Sequence, residues 1–355
     1  MESGRPVRMP TRCNYIPSRH RGACTTQTAA LNFDRVNDTK NVPDRTWPPL
    51  PLDSWEDTYA TLHMWTQIVG KLALRLSPLT NHYWNTALQV TSHGLATLPL
   101  TAEDRAVTLT FDFVADQLLF ECSDGRGASI SLESRPVAEF YRLAMEVLAR
   151  LDVRVRIWTV PVEVPNPTRF DADEIHRSYD PAAARACWQV LVQTKRVLER
   201  FRSRFVGKTS PVHFWWGSFD LAHTRFSGRR APVHPGGIPN LSDTVTREAY
   251  SHECISVGWW PGGRTTPISE PAFYAYAYPE PPGCPAAVIG PAAATYDLRM
   301  HEWILPYEAV RRAPDPDAAL LTFAQRTYEA AAALGGWPRT LLERTPEDFA
   351  RLETA

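Results

Sequence analysis

Two segments of this chain run through the same order of patterns, and that repetition constrains the fold more than any single motif. "DSWEDTYATLHMWTQIVGK" carries Leu62, Trp65 and Val69 at helical spacing and closes on Val69-Gly70-Lys71. Asp53 or Ser54 is the expected cap, Glu56 and Asp57 suit the first turn, and Gly70 is the expected stop. "AAARACWQVLVQTKRVLERFRSRFVGK" reads as a second helix, closing on Val206-Gly207-Lys208. Ser210-Pro211 then answers Ser77-Pro78, and His213-Phe214-Trp215 answers His82-Tyr83-Trp84.

The parallel continues through the strands. In the first half "KLALRLSP", "YWNTALQVT", "VTLTFDFV", "QLLFECSDG" and "ASISLES" are strand-like; the helix "PVAEFYRLAMEVLARL" and a short strand "VRVRIWTV" follow. In the second half "SHECISVGWW", "AFYAYAYPEP" and "EWILPYEAV" precede the helix "ALLTFAQRTYEAAAALG". The expected fold class is therefore α+β: an internal duplication of a helix/antiparallel-strands/helix unit with pseudo-two-fold symmetry, helices on one face of the sheets. The second copy is enlarged around residues 262–300 and 311–318. A ligand belongs by default in the groove between copies.

Boundaries follow from composition. Residues 1–49 scatter Arg, Pro, Thr and Asn without apolar periodicity and are expected to be a disordered leader, with a basic transit-type segment as the alternative. Residues 50–160 form the first repeat, 161–182 a Pro- and Asp-rich linker, 183–340 the second repeat and 341–355 a tail. The 38 basic and 39 acidic residues leave no global field for nucleic acid or an anionic membrane. No apolar run reaches the roughly 18 to 20 residues of a membrane span, and a secretory signal is missing, so a cytoplasmic location is expected. The six cysteines are far apart, with no C-x-x-C pair, which favours reduced thiols over a cysteine-rich zinc site.

The stretches "TLHMWTQIVGKLAL", "NHYWN", "GKTSPVHFWWGSFDLAHTRFSGR", "AYSHE", "GWWPGG", "FYAYAYPEP" and "ILPYEAVR" together resemble a bacterial family of unknown function, number 5996 in the series of such domains. The resemblance spans about residues 55 to 340 and carries no activity with it. Two positions depart from the family's pattern: Trp215 stands where Phe is usual, and His223 where a small apolar residue is usual. That argues against a shared catalytic role for His223.

Polar groups concentrate in aromatic segments of the second half. Were "SPVHFWWGSFDLAHTRFSGR" one regular strand, His213, Trp215, Gly217, Phe219, Leu221, His223 and Arg225 would share a face. Phe214, Trp216, Ser218, Asp220, Ala222 and Thr224 would share the other. His213 and His223 would lie about 33 Å apart, too far to bind one metal unless the chain folds back near Gly217. Ser218, Asp220 and Thr224 beside Trp216 form the better cluster, a carboxylate against a flat surface. Arg225 and Arg229 are candidate anion anchors, the structural alternative being a buried ion pair with Asp220.

"AYSHECISVGWWPGG" adds His252 and Glu253 as acid–base groups, facing oppositely in a strand, and Trp260 as a wall. In "FYAYAYPEP" Tyr274, Tyr276 and Tyr278 line one face and Ala275 and Ala277 the other, a ligand wall with Glu280 at its lip or else a half-exposed sheet face. His63, Gln67 and Lys71 recur at i, i+4, i+8 and present a polar stripe either to the groove or to water. The acidic run "FDADEIHRSYD" lacks calcium-loop or H-E-x-x-H spacing, so no metal site is expected. Dinucleotide, P-loop, nucleophile-elbow and kinase signatures are absent, so no cofactor is expected.

The leading expectation is a small-molecule enzyme with an aromatic-walled groove, Asp220, His213, His252 and Glu253 being its acid–base candidates. The rival is a non-enzymatic binding or scaffold protein using the same groove. The partner is a small molecule, with neither nucleic acid nor membrane involved; the sequence sets no oligomeric state.

Overall fold

The computed structural model describes residues 47–263, 266–345 and 347–348. Among them are seven α-helices and two six-stranded sheets, both antiparallel throughout, so the chain is a mixed α+β protein. The first sheet has the order β1 (Gln89–Val90), β2 (Gly94–Ala96), β4 (Arg105–Asp112), β5 (Gln117–Cys122), β6 (Gly127–Ser131), with β3 (Leu100–Ala102) also on β4. The second has the order β11 (Thr295–Asp297), β12 (Glu302–Pro306), β10 (Ala272–Tyr278), β9 (His252–Trp260), β8 (Asp220–Arg230), β7 (His213–Trp215). Leu88 and Phe214 exchange backbone hydrogen bonds of 2.9 and 2.8 Å and so join the two sheets edge to edge.

Helix α1 (Glu56–Leu76) is buried on nearly all sides from Thr61 to Ala73, which marks it as central rather than amphipathic. Leu62, Trp65 and Val69 are in the core as their spacing predicts, and Trp65 stacks on Phe140 of α2 (Val137–Arg150) with centroids 4.5 Å apart. Two expectations about this helix are overturned. Neither Asp53 nor Ser54 caps it, since Trp55 holds the cap position without a side-chain bond. Gly70 does not stop it: "KLALRLSP" continues the helix to Leu76 instead of forming a strand. Glycine is required there by packing, because a Cβ at position 70 would lie 2.2 Å from the Trp216 indole.

Helix α3 (Pro181–Arg202) starts as its sequence dictates, with Pro181 at the first turn and the Asp180 carboxylate accepting from the Ala182 and Ala183 amides. It ends at Arg202, ahead of Val206-Gly207-Lys208, so the two V-G-K tripeptides occupy different conformations. The same holds for His82-Tyr83-Trp84, a turn with two left-handed residues, against His213-Phe214-Trp215, a strand. "VRVRIWTV" forms no strand; Val153 and Ile157 bury their side chains without a partner strand.

Leu221, Val257, Trp259, Phe273 and Ala275 of the second sheet face α3 and α6 (Pro316–Leu334), and α5 (Tyr307–Arg311) follows β12 directly. The small residues Ala275 and Ala277 lie on the helix side and the tyrosines of β10 on the other, as their alternation predicts. Trp47 is buried against Phe273, so order extends at least to that residue; residues 1–46 of the expected leader, with Cys13 and Cys24, lie outside the described residues. The four cysteines described are free and buried. No described helix is long and apolar enough to cross a membrane.

Candidate active site

The run 210–229 is a hairpin, not one strand. β7 and β8 pair His213 with Ala222, Phe214 with Leu221 and Trp215 with Asp220, and Phe219 adopts a left-handed φ of 58° in the turn. Folding back exchanges the expected faces. Trp215 now shares a side with Asp220, Ala222 and Thr224, while Phe214, Leu221, His223 and Arg225 face the helices. The Glu163 carboxylate lies over Gly217 in this turn, 2.0 Å from where a Cβ would stand, so any larger residue there would have to displace that carboxylate.

Three strands then build a floor and a wall. Ala222, Gly258 and Tyr274 lie abreast across β8, β9 and β10, and Thr224, Ser256 and Tyr276 form the next row. A Cβ on Gly258 would sit 2.4 Å from the Tyr274 hydroxyl, so its absence lets the phenol lie across β9 and donate to Asp220. Tyr274 and Tyr276 stack at 6.1 Å, and the Tyr276 and Tyr250 hydroxyls are 2.9 Å apart. The resulting cleft has two lobes of about 190 and 250 Å³ that share Glu163, Ser218, Asp220, Tyr250, Tyr274 and Tyr276.

Three carboxyl groups face this space. Asp220 accepts from the Ser218 and Tyr274 hydroxyls, and Trp260 donates its indole N–H to the Ser218 carbonyl at 3.1 Å. Glu163 reaches in from the loop after residue 160 and Glu302 from β12, two residues along from Ile304, which pairs with Tyr274. Burial, then the neighbouring Asp220, pushes Glu163 up to about 7; burial, Asp220 and Asp297 push Glu302 up to about 8. Asp220 is raised by burial against the lowering effect of its two hydroxyl donors. Among the described residues no lysine or arginine lines either lobe, so the three carboxyls share this space without a described compensating cation.

The polar stripe on α1 explains how Glu163 is held. Gln67 exchanges two 2.8 Å hydrogen bonds with the Val162 backbone, Lys71 donates to the Val160 carbonyl at 2.7 Å, and His63 Nε2 donates to the Gly217 carbonyl at 2.8 Å. Burial drives His63 down to about 4 and Lys71 down to about 8. The stripe therefore faces neither water nor the cleft. It fastens the loop that delivers Glu163, whose own φ is 60°.

Other candidates fall elsewhere. His213 is 1% exposed and lines neither lobe; burial lowers it to about 3, and both ring nitrogens lack a hydrogen-bond partner among the described residues. His252 contacts Ser251 at 3.0 Å, close to the His82 ring. Glu253 is paired with Arg229, which also donates to the Gly335 and Gly336 carbonyls, so neither is available to the cleft. Glu280 does not stand at the lip but accepts from Tyr296 and lies 2.8 Å from His301 Nδ1. Tyr278 donates to Pro232 and lines neither lobe. Trp216 packs on Gly70 and donates to the Thr86 carbonyl. Asp173 pairs with His176, Asp171 with Arg169, and Asp180 caps α3, giving the acidic run local structural roles.

Arg225 is not an anion anchor. Its guanidinium is buried on the helix side, 3.5 Å from the Phe201 ring centroid and 4.3 Å from that of Tyr328, and donates to the Phe201 carbonyl. Burial first, opposed by Tyr328 and Glu343, lowers it to about 9. Because no carboxylate among the described residues pairs with it directly, Arg225→Met is expected to change stability by no more than about 1 kcal/mol, whereas Arg225→Ala costs about 3 kcal/mol through the cavity it leaves. Urea unfolding of the two variants checks this; equal losses would show that the charge, not the volume, matters.

Sequence reading missed Glu163, Glu302, Tyr250 and Gly258. The available signals were an acid between two valines in "PVEVP" and an acid on the alternating strand "EWILP".

The chain is a mixed α+β protein, and the face of its second sheet that points away from α3 and α6 borders the two lobes. Over residues 47–344 the sequence matches a family described as a family of unknown function (DUF5996), and the chain belongs to that family. Neither a curated protein nor a solved structure matches it.

Proposed function

We propose that the protein is a small-molecule enzyme working in this cleft, with Asp220 as the proton-accepting group and Tyr274 as its hydroxyl partner. The observation that carries the reading is the direct hydrogen bond between these two titratable groups, inside a pocket and within reach of Glu163 and Glu302. Burial raises the proton affinity of Asp220, which makes it a better proton acceptor than an ordinary aspartate. Tyr250, Tyr276 and Trp260 supply flat walls that position a ligand.

The test is incubation of the protein with a defined mixture of metabolites, followed by mass spectrometry of the retained and free fractions. Wild type is expected to retain and convert at least one component. Ala222→Met, which fills the floor, is expected to abolish retention, and Asp220→Asn to keep retention while lowering conversion 100-fold or more. Retention by wild type without conversion would replace the enzyme reading by that of a binding protein.

We further infer that the two helix/strands/helix halves arose by duplication and that the protein works in the cytoplasm. The shared order α1, antiparallel strands, α2 and α3, antiparallel strands, α6 supports the first inference. Superposing residues 56–150 on 181–334 tests it; failure of the sheets to overlay in strand order would remove it.

A further inference from the structure

We propose that the ligand of the cleft is an organic cation, carrying an ammonium or guanidinium head that lies between the tyrosine wall and the carboxyl groups of Glu163, Asp220 and Glu302. This rests on the reading of the cleft as a small-molecule site and names the chemistry it selects. Three features point the same way. First, among the described residues the lobe that holds Glu302 has no basic side chain in its lining. The other lobe has only His82, whose Nδ1 lies 3.1 Å from each of two backbone carbonyls and whose Nε2 faces Lys208. An anionic ligand would thus meet three carboxyls and, among the described residues, no free cation.

Second, the side-chain carboxyls of Glu163 and Glu302 make no hydrogen bond or ion pair with the described residues, although both line the cleft and are largely removed from water. Once ionised, carboxyl oxygens in that position need a partner that the described residues do not provide. Third, Tyr250, Tyr274, Tyr276 and Trp260 surround the same space, and aromatic rings attract a desolvated cation by up to about 2 kcal/mol each. A divalent metal is a poorer match, since among the described residues no three acidic, histidine or cysteine side chains converge as a ligand set.

Binding of a cation is then linked to proton release. The groups facing the three carboxyls are Asp297 from β11, Tyr274 and Tyr276 from β10, Tyr250, Cys254 from β9 and His82. None of these carries a positive charge in the pocket at neutral pH, burial having lowered His82 and raised Tyr250, Tyr274, Tyr276 and Cys254. Because Glu163 and Glu302 hold protons near pH 7, a cation must displace them, and its affinity rises with pH until both are ionised.

Four matched probes test the proposal by calorimetric titration: benzylamine, benzyltrimethylammonium, benzyl alcohol and benzoate. The two cations are expected to bind at least 10-fold more tightly than the other two, and to bind about 10-fold more tightly at pH 8.5 than at pH 6. They are expected to release protons, seen as a dependence of the measured heat on the buffer's ionisation enthalpy. The double variant Glu163→Gln, Glu302→Gln is expected to lose this preference while keeping its fold, as judged by its melting temperature. Equal or tighter binding of benzoate or benzyl alcohol overturns the cation proposal. If no probe binds but metabolite retention remains sensitive to Ala222→Met, the cation proposal fails and the small-molecule cleft stands. If retention is also insensitive to Ala222→Met, both fail.

Discussion

Glu163→Gln and Glu302→Gln are each expected to stabilise the protein at pH 8 and to leave it unchanged near pH 4. Both carboxyls have a proton affinity in the folded chain above that of an ordinary glutamate, up to about 7 and about 8, because burial disfavours the charged form and Asp220 adds to the effect. Below about pH 4.5 the side chains are protonated in both folded and unfolded states, so neither contributes a pH dependence. As pH rises, the unfolded chain releases its protons first. The folded chain holds them up to about 7 and 8, and stability falls throughout that window.

Shifts of this size correspond to about 3 kcal/mol for Glu163 and about 5 kcal/mol for Glu302, reduced to about 2 kcal/mol or somewhat more because both side chains retain some contact with solvent. Neutral glutamine removes the penalty, raising the melting temperature at pH 8 by roughly 4 °C. The effects of the two substitutions should not add fully, since both groups respond to Asp220. Calorimetric melting from pH 4 to 8.5 gives the answer; a pH-independent difference between wild type and variant would show that the cleft does not hold these protons.

Gly70→Ala is expected to destabilise the protein by about 2 kcal/mol or more, against the direction of helix propensity. In an exposed helix the change would gain about 1 kcal/mol. Here the new Cβ would meet three atoms of the Trp216 ring at 2.2 to 2.3 Å. The indole cannot retreat freely, because its N–H donates to the Thr86 carbonyl at 3.0 Å and it is 8% exposed. Overpacking of this kind forces side chains off their rotamers and shifts backbone. Trp216→Leu should cost stability alone yet remove most of the penalty of Gly70→Ala in the double variant. Strict additivity in denaturant unfolding would rule out the contact as the cause.

Much of the fold was legible. β4, β5, β6, β9, β10, α2, α3 and α6 follow from apolar periodicity, because their side chains choose a face locally: alternate residues in a strand, every third or fourth in a helix. The Tyr–Ala alternation of β10 is the plainest case. Gly70 and "KLALRLSP" were not legible, since the same leucines satisfy either period and only a neighbouring indole requires glycine within the helix.

The candidate site divides in the same way. Asp220, Ser218, Trp260, Tyr274 and Tyr276 lie in segments whose aromatic density singles them out, and they do line one cleft. His213, Arg225, Arg229, Glu253 and Glu280 lie in the same segments but line neither lobe: His213 is buried in β7, Arg225 faces the helices and donates to the Phe201 carbonyl, Arg229 pairs with Glu253, and Glu280 lies against His301. By itself the sequence determined the secondary structure of most of the second half, the absence of a global charge field and which segments are rich in polar aromatic chemistry. Tertiary structure alone decided that Glu163, more than fifty residues before Asp220, and Glu302, some eighty after it, line the same lobe as that carboxylate. Long-range packing can hold carboxyl groups together against their mutual repulsion, and no local pattern in the chain records that it does.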